Sequence, residues 1–333
     1  MGEFVPVARF TRRMFLDCLT GTAAACAAAS CGPHSGLVVN PSASGAKGDT
    51  FGYRKWLADT VDPDVVIIGI HGFCGAAIDY RNLGIHLLRH QPRTALYAYE
   101  LRGQGSDPIH TRRGDIGNPR EWYGDLLAFT RMVRGLHADA RIVWFGESMG
   151  ALIAAHAYRE STVADAPPCD GLIFSSPIVR FRDDIPAWTP GLVQVAASTL
   201  PLARVSLDTL SSGQDVQMTQ YSVHGEQVKK NEYHVDQHTL RLIGTLTWLI
   251  NGMNTCAGYF QVPVLVLHAD KDYFNNDADV RGFVARIPKT THAIYKNYPN
   301  TYHLLMYDAK RESVFRDVRG WLDRMRRGRL KNS

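Results

Sequence analysis

The sequence predicts a doubly wound, mostly parallel α/β sheet with an inserted helical cap. Two observations predict it. Short apolar runs of strand length alternate with amphipathic segments along most of the 333 residues, whereas one long segment, 178–260, lacks a clear strand. Continuous apolar runs are typical of strands that helices cover on both faces, and their alternation with helices favours a parallel sheet.

The predicted core covers residues 50–177 and 261–327. Its strands, in chain order, are an edge strand at Phe51–Leu57, then Val65–Ile70, Thr94–Tyr99, Ile142–Phe145, Gly171–Ser175, Pro263–Ala269 and Ala293–Tyr298. Helices are predicted at Ala77–Arg89, Glu121–His137 and Glu312–Arg327. The last of these places its large apolar residues on one face, as a helix packed on a sheet does. Residues 178–260, with three prolines and apolar patches such as Leu240–Ile250, are predicted as the helical cap.

The first 31 residues are predicted to be a bacterial export signal. Thr11–Leu16 resembles a twin-arginine signal, and a weakly apolar, alanine-rich segment follows it. The small residues before Cys31 resemble a lipoprotein cleavage site, with Cys31 as the lipid attachment residue and Cys26 as a second candidate. We therefore expect export to the cell envelope, on the periplasmic face or as a membrane-anchored lipoprotein. Residues 32–49, rich in Gly, Ser, Pro and Ala, are predicted to be a flexible tether.

Composition excludes some classes of function. The net charge of +5 is spread along the chain without a basic stripe that interleaves aromatic residues, so a nucleic-acid partner is not expected. Beyond Cys31 the cysteines are Cys74, Cys169 and Cys256, which are too far apart for a metal-ligand motif or a disulfide framework. We expect no metal and no organic cofactor. The sequence leaves the oligomeric state open.

Gly146-Glu147-Ser148-Met149-Gly150 is the most informative segment. An apolar strand precedes it and an apolar helix follows it, which is the context of a nucleophile elbow. The sharp turn projects the Ser148 hydroxyl away from the backbone, and Gly146 and Gly150 let strand and helix approach closely. The N-terminus of the following helix favours developing negative charge. Ser148 is therefore the predicted nucleophile.

A serine hydroxyl needs a base and an acid that orients the base. Asp272 lies in the loop beyond the strand Pro263–Ala269, and His303 follows the last strand. The chain order is therefore Ser, then Asp, then His, which is the order found in enzymes with a nucleophile elbow. Asp272 is preferred to Asp270, which lies at the end of its strand. His303 is preferred to the competing histidines His234, His238, His268 and His292.

A predicted oxyanion loop follows the strand Val65–Ile70. In His71-Gly72-Phe73-Cys74-Gly75, the backbone N–H of Phe73, together with that of Met149, would hold the negative oxygen of a tetrahedral intermediate. Gly72 and Gly75 would permit a tight approach. His71 is expected to hold the loop by hydrogen bonds, and Cys74 to be a small loop residue.

Four segments carry a resemblance to a known family. His71-Gly72-Phe73, Glu100–Ser106, Gly146–Gly150 and Ser175-Ser176-Pro177 resemble motifs of the monoacylglycerol lipase and lysophospholipase branch of the α/β-hydrolases, which includes serine aminopeptidase-like members. The resemblance covers about residues 50 to 325 and implies the α/β-hydrolase fold. It assigns the same roles to Ser148, Asp272 and His303. In this chain Glu100 and Gln104 replace the usual Asp and His, and Phe73 is bulkier than the usual residue.

The resemblance implies a serine hydrolase that cleaves carboxylic esters, with monoacylglycerols or lysophospholipids as the favoured small-molecule substrates. Two alternatives stay within the enzymes: a short-chain esterase, and an aminopeptidase-like serine peptidase that would need cap carboxylates such as Asp183, Asp184, Asp208 or Asp215. An acyltransferase is also compatible with the sequence. A noncatalytic lipoprotein that binds ligands through the same fold is the alternative from another class.

Overall fold

A central eight-stranded sheet organises the part of the chain that the structure describes. The structure is a computed structural model, and it describes residues 34–40, 49–164, 166–206, 216–223 and 231–328. The strands are β1 (His34–Asn40), β2 (Asp49–Trp56), β3 (Val65–Ile70), β4 (Thr94–Tyr99), β5 (Arg141–Glu147), β6 (Gly171–Ser175), β7 (Arg204–Ser206), β8 (Gln217–Thr219), β9 (Ser222–Val223), β10 (Gln237–Thr239), β11 (Val264–Ala269) and β12 (Ala293–Tyr298). The helices are α1 (Arg81–His90), α2 (Pro119–Leu136), α3 (Met149–Ala164), α4 (Thr189–Thr199), α5 (Leu240–Ala257), α6 (Asp277–Val284) and α7 (Arg311–Arg326).

The order of the strands in the large sheet is β1-β2-β4-β3-β5-β6-β11-β12. The six strands from β4 to β12 in this order pair in parallel. Strand β2 is antiparallel to both β1 and β4. The predicted mostly parallel sheet is therefore confirmed, and its carboxyl ends form one edge.

Helices cover both faces of this sheet. Along β3, Val66, Ile68 and Ile70 belong to one apolar cluster with residues of α2, α3, α5 and α6. The alternate residues Val65 and Ile67 belong to a second cluster with residues of α1 and α7. Successive side chains of a strand point to opposite faces, so a strand buried on both faces must be apolar at every position. This is the physical reason why continuous apolar runs predicted the strands.

The helices of the structure begin and end a few residues away from their predicted bounds. The predicted helix Ala77–Arg89 consists of a single 3-10 turn, Ala77–Tyr80, followed by α1. Helix α2 begins at Pro119 because the side chain of Asn118 accepts a hydrogen bond from the N–H of Arg120 and caps the helix. Proline suits the first position of a helix, because the backbone N–H that it lacks would have no acceptor within the helix.

The inserted cap contains short strands in addition to the helices that the sequence predicted. Between β6 and β11 the described residues form α4 and two small sheets, which pair β7 with β10 and β8 with β9. Helix α5 completes the segment, but Leu249, Met253 and Cys256 of α5 are buried in the main core. The predicted boundary at residue 260 therefore assigns to the cap a helix whose inner face belongs to the core.

The segment before the core also requires a correction. Residues 34–40, predicted as part of a flexible tether, form β1, which pairs with β2 along its length. The strand predicted at Phe51–Leu57 therefore has a neighbour on each side and is not an edge strand. The predicted export signal, the cleavage site and Cys31 lie outside the described residues, as do residues 32–33 and 41–48 of the tether. None of the helices in the described ranges has the length and hydropathy that a membrane span requires.

Candidate active site

Ser148 lies in a strained turn between β5 and α3. Its φ is 51°, in the left-handed region that residues with a side chain rarely adopt. Two hydrogen bonds hold the turn: the N–H of Ser148 donates to the carbonyl of Ser175 (3.0 Å), and the N–H of Ala151 donates to the carbonyl of Ser148 (3.0 Å). Strain of this kind persists only where neighbouring structure fixes the backbone, and it is common at functional sites.

The glycines on either side of Ser148 are required by space. A Cβ atom on Gly150 would lie 1.9 Å from the carbonyl oxygen of Ile70, and one on Gly146 would lie 2.5 Å from the carbonyl oxygen of Gly150. At Gly72 a Cβ would make only an ordinary contact, 3.4 Å from the Cβ of Ser148. Of the two glycines predicted to permit a tight approach in this loop, only Gly75 lies in one, since a Cβ there would lie 2.5 Å from Oδ2 of Asp79.

The structure brings Ser148, His303 and Asp272 together. Oγ of Ser148 lies 2.9 Å from Nε2 of His303, and Nδ1 of His303 lies 2.9 Å from Oδ2 of Asp272. The other carboxylate oxygen of Asp272 accepts a hydrogen bond from the N–H of Phe274 (2.8 Å). The three residues follow β5, β12 and β11, whose carboxyl ends meet at one edge of the sheet. All three side chains are almost inaccessible to solvent.

The competing candidates lie outside this arrangement. Asp270 is exposed, and its carboxylate accepts a hydrogen bond from the N–H of Asn300 (3.4 Å). His268 is buried within β11 and stacks on Tyr295. His234 is paired with Asp236 in the cap, and His292 immediately precedes β12. His238 packs against the loop at residues 71–75.

Neighbours hold the His303 ring and backbone in place. The hydroxyl of Ser176 donates to the carbonyl of His303 (2.6 Å), and the ring of Phe274 packs at an angle against the imidazole with centroids 4.6 Å apart. The N–H of Leu304 donates to the carbonyl of Met218 in β8 (3.0 Å), so the cap also contacts this loop. The motif Ser175-Ser176-Pro177 does not reveal this role of Ser176, because the contact with His303 joins residues far apart in the chain.

Both nitrogens of His71 are occupied by the backbone. Nε2 accepts a hydrogen bond from the N–H of Leu101 (3.0 Å), so Nδ1 carries the proton and donates it to the carbonyl of Gly72 (2.9 Å). A ring with both nitrogens engaged serves as a brace and is unavailable as a base. This is the loop-holding role that the sequence analysis expected of His71.

The two predicted oxyanion donors flank Ser148. Met149 is the first residue of α3, so its N–H has no acceptor within the helix. Phe73 directly follows Gly72, which faces the Ser148 side chain at the distance given above. An amide at a helix N-terminus attracts negative charge, and a second amide from a neighbouring loop would complete a two-donor pocket.

Behind the elbow lies a buried acidic cluster that sequence reasoning missed. Glu147 is 2% exposed, and its Oε1 has no hydrogen-bond partner among the described residues. Burial, followed by the nearby Asp79 carboxylate, raises the pKa of Glu147 to about 8. Burial also raises the pKa of Asp79. The hydroxyl of Tyr80 accepts from the N–H of Ile70 (3.1 Å) and donates to the carbonyl of Phe145 (2.6 Å), which ties β3 to β5 beside this cluster.

Two further kinds of centre, a metal site and a reactive cysteine, can be judged from the geometry and burial of the described residues. In the ranges that the structure covers, no cluster of His, Cys, Asp or Glu has the arrangement of a metal site. Cys74, Cys169 and Cys256 are buried free thiols. Burial raises the pKa of Cys74 to about 12, so its thiol is not activated.

The chain matches one known protein family and superimposes on several solved structures. The family described as serine aminopeptidase, S33 (Hydrolase_4) matches residues 61–310. A monoacylglycerol lipase from Paleococcus ferrophilus superimposes with a TM-score of 0.66 at 19% identity, covering 82% of this chain and 98% of the lipase. A soluble variant of the Saccharomyces cerevisiae monoglyceride lipase, in complex with a substrate analogue, gives 0.69 at 18% identity, covering 86% and 96%.

A thermostable carboxyl esterase from Bacillus coagulans, in complex with glycerol, gives a TM-score of 0.68 at 14% identity, covering 88% of this chain and 97% of the esterase. No curated protein sequence matches the chain. At these identities the superpositions establish the fold, which is the α/β-hydrolase fold that the sequence analysis expected.

The protonation of Glu147 gives a testable pH dependence. The folded protein keeps this carboxyl protonated up to a pH of about 8, whereas the unfolded chain releases the proton near the ordinary value of 4.5. The carboxyl therefore favours folding at low pH, and this contribution is lost as the pH rises through the folded pKa. Glu147→Gln cannot ionise, so its melting temperature relative to the wild type should increase steadily from pH 5 to pH 8.

The control for this experiment is Glu160→Gln, since Glu160 lies at the surface beside Arg120. Its melting temperature should follow that of the wild type across the range, because exposed ion pairs contribute little. A constant difference between Glu147→Gln and the wild type at all pH values would contradict the raised pKa.

Proposed function

Because the chain belongs to the serine aminopeptidase S33 (Hydrolase_4) family of α/β-hydrolases, we propose that it is a serine hydrolase that cleaves carboxylic esters through Ser148, His303 and Asp272. The observation that carries this proposal is the continuous pair of 2.9 Å contacts from Ser148 Oγ through the His303 ring to the Asp272 carboxylate. A hydroxyl, an imidazole and a carboxylate in this order form the constellation of serine hydrolases on several unrelated folds.

In the proposed mechanism, Ser148 Oγ attacks the ester carbonyl while Nε2 of His303 takes the serine proton. The carboxylate of Asp272 accepts a hydrogen bond from Nδ1, which fixes the tautomer and stabilises the imidazolium. The N–H groups of Phe73 and Met149 hold the oxyanion of the tetrahedral intermediate. Removing a single donor of this kind costs about 100-fold to 1000-fold in kcat in a well-studied protease.

The intermediate collapses when His303 gives its proton to the departing alcohol, and the acyl group remains on Ser148. Water then attacks the acyl-enzyme while His303 accepts a proton from it. His303 returns this proton to Ser148 Oγ as the carboxylic acid leaves, which restores the starting state. Every proton that His303 accepts is released within the cycle, so no cofactor is needed for balance.

We propose monoacylglycerols or lysophospholipids as the substrates. The sequence resemblance supports this class, and two proteins of similar fold are a monoacylglycerol lipase and a monoglyceride lipase. Helix α4 of the cap adds a physical argument, because its residues Leu192 and Val195 and its N-cap residue Trp188 are exposed and the helix carries no charged residue. Such a surface favours amphiphilic substrates with an acyl chain over small, water-soluble esters.

The contacts of the cap weigh against the peptidase alternative. A peptidase that removes N-terminal residues needs an unpaired carboxylate to bind the substrate ammonium group. Asp183 and Asp184 are exposed, and their carboxylates already pair with Arg180 and Arg182. Asp208 and Asp215, the other cap carboxylates considered, lie outside the described residues. A noncatalytic binding module would gain nothing from a buried Ser–His–Asp arrangement.

Matched substitutions test the assignment of the acid. Asp272→Asn should lower kcat by about 10⁴-fold, because an amide cannot hold the His303 tautomer that accepts the serine proton. Asp270→Asn makes the same chemical change two residues earlier in the same loop and should leave kcat unchanged. Hydrolysis of p-nitrophenyl butyrate by each purified variant measures both. An equal loss in the two variants, or a loss confined to Asp270→Asn, would refute the assignment of Asp272.

A substrate panel tests the substrate class. The wild type and Ser148→Ala should be compared on mono-oleoylglycerol, lysophosphatidylcholine, p-nitrophenyl butyrate and leucine p-nitroanilide. We expect the largest kcat/KM on one of the two lipids, no cleavage of the anilide, and loss of all turnover in Ser148→Ala. A clear preference for the anilide would establish the peptidase alternative. Transfer of the oleoyl group to added alcohol in preference to water would establish an acyltransferase.

We also propose that the enzyme acts in the cell envelope after export. The support is the sequence of the first 31 residues, with its paired arginines and Cys31. Expression of the full chain in a bacterium should yield a membrane fraction that contains the processed protein. Cys31→Ser should shift the protein to the soluble fraction, and replacing both Arg12 and Arg13 by Lys should retain it in the cytoplasm. Unchanged fractionation in these variants would contradict the proposed signal and anchor.

A further inference from the structure

One segment of the cap bears directly on the predicted oxyanion loop. The amide Nδ2 of Asn231 donates a hydrogen bond to the carbonyl of Cys74 (2.9 Å). Nε2 of His238 lies 3.6 Å from Sγ of Cys74, and its ring packs on the ring of Phe73 with centroids 4.4 Å apart. Three contacts from the cap thus converge on the residue that carries a proposed oxyanion donor and on its neighbour.

The core also holds this loop. The N–H of Cys74 donates to Oε1 of Gln104 (3.0 Å), so Gln104 and Asn231 fix the two backbone polar groups of Cys74. The φ of Cys74 is 54°, a left-handed conformation that costs free energy for a residue with a side chain. Strained backbone persists only where its surroundings over-determine it, and here one of the two fixing side chains comes from the cap.

The cap segment itself is anchored before and after these contacts. Oδ1 of Asn231 accepts a hydrogen bond from the N–H of Tyr233 (2.9 Å), which fixes the orientation of the Asn231 amide. Tyr233 lies directly against Gly105, where a Cβ would come within 1.6 Å of the Tyr233 carbonyl oxygen. At the other end the hydroxyl of Thr239 donates to Asp115 (2.6 Å). Asn231 and His238 therefore act from a fixed base.

We propose that Asn231 and His238 are positioning residues that hold the Phe73 N–H in the orientation required to bind the oxyanion, so that the cap completes the catalytic site of the core. This inference rests on the proposed function. Asn231 fixes the peptide that follows Cys74, and His238 fixes the side chain of Phe73. Because the oxyanion interaction depends steeply on donor geometry, a small rotation of the loop weakens transition-state binding more than substrate binding.

The charge state of His238 is compatible with this role. Burial lowers the pKa of His238 to about 4, so the ring is neutral near pH 7. The charged and titratable neighbours that act on it are His234, Arg204 and Asp236, of which Asp236 favours protonation and the other two oppose it. A neutral ring packs on Phe73 without bringing a cation and its hydration into the site.

Asn231→Asp is the most informative variant. It keeps the size of the side chain and an oxygen for the N–H of Tyr233, but it replaces the donor to Cys74 by a carboxylate oxygen that repels the carbonyl. Asn254→Asp is the matched control, because Nδ2 of Asn254 also donates to a backbone carbonyl, that of Val179 (3.3 Å), and Asn254 is also half-buried. Asn231→Ala and His238→Leu serve as second variants that introduce no charge.

The measurements are the kinetics of p-nitrophenyl butyrate hydrolysis and the affinity for an alkyl boronic acid, both on the full chain. Ser148 Oγ adds to the trigonal boron and its proton passes to His303, which gives a tetrahedral anion with an oxygen in the oxyanion position. We expect kcat to fall about tenfold or more in both Asn231 variants and in His238→Leu, with KM within about twofold of the wild type, since transition-state contacts alone are lost. The affinity for the boronic acid should fall in proportion to kcat/KM, while Asn254→Asp retains both.

Unchanged kcat in the Asn231 and His238 variants would overturn the inference, as would a rise in KM alone. An equal loss in Asn254→Asp would also overturn it, because the effect would then be a general one of the cap. If the wild type neither hydrolyses the ester nor binds the boronic acid, the proposed function fails first, which separates the two failures.

Discussion

The contact between the first turn of α3 and the carboxyl end of β3 constrains everything else in the site. There is no room for a side chain at Gly150, since its Cβ would overlap the carbonyl oxygen of Ile70. This close approach requires a sharp turn at Ser148, the single residue between β5 and α3, and Ser148 takes the left-handed conformation there. The strain is stored in the turn, and burial of apolar residues on both faces of the sheet provides the stabilisation that opposes it.

The parallel sheet then determines where Asp272 and His303, the partners of Ser148, can lie. Because β5, β11 and β12 are parallel, their carboxyl ends lie at one edge and loops of only a few residues bring Asp272 and His303 to the serine. The short turn after β11 and the hydrogen bond from Ser176 to the carbonyl of His303 limit the freedom of these loops. A site built in this way is pre-organised, so little reorganisation remains for the reaction.

Much of this could be predicted from the sequence, for physical reasons that apply to particular segments. The strands β3 and β11 are buried at every position and consist of apolar residues apart from Gly69 and His268, which is the pattern of strands covered on both faces. Ser148 is marked by glycines that the close packing of strand and helix demands. Asp272 and His303 follow from chain order, and the structure brings both to Ser148.

The features that could not be predicted depend on partners far away in the chain. The apolar run of strand β1, Leu37–Val39, is shorter than those of the buried strands, and β1 pairs with β2 along its length. The strands of the cap are two or three residues long, which is too short for a periodic signal. The raised pKa of Glu147 arises from burial and from Asp79, and the contact of Asn231 with Cys74 joins residues 157 positions apart. Sequence periodicity carries no information on such contacts.

Reaction of the full chain with a fluorophosphonate, followed by peptide mass spectrometry, tests whether Ser148 is a nucleophile that His303 activates. We expect one adduct per chain, on the peptide that contains Ser148, and no adduct in His303→Gln under the same conditions. The loss of reaction in that variant would follow from loss of the base, because an unactivated serine hydroxyl is a poor nucleophile. Labelling of a different residue would contradict the assignment of Ser148 as the nucleophile. Undiminished labelling of Ser148 in His303→Gln would contradict the assignment of His303 as its base.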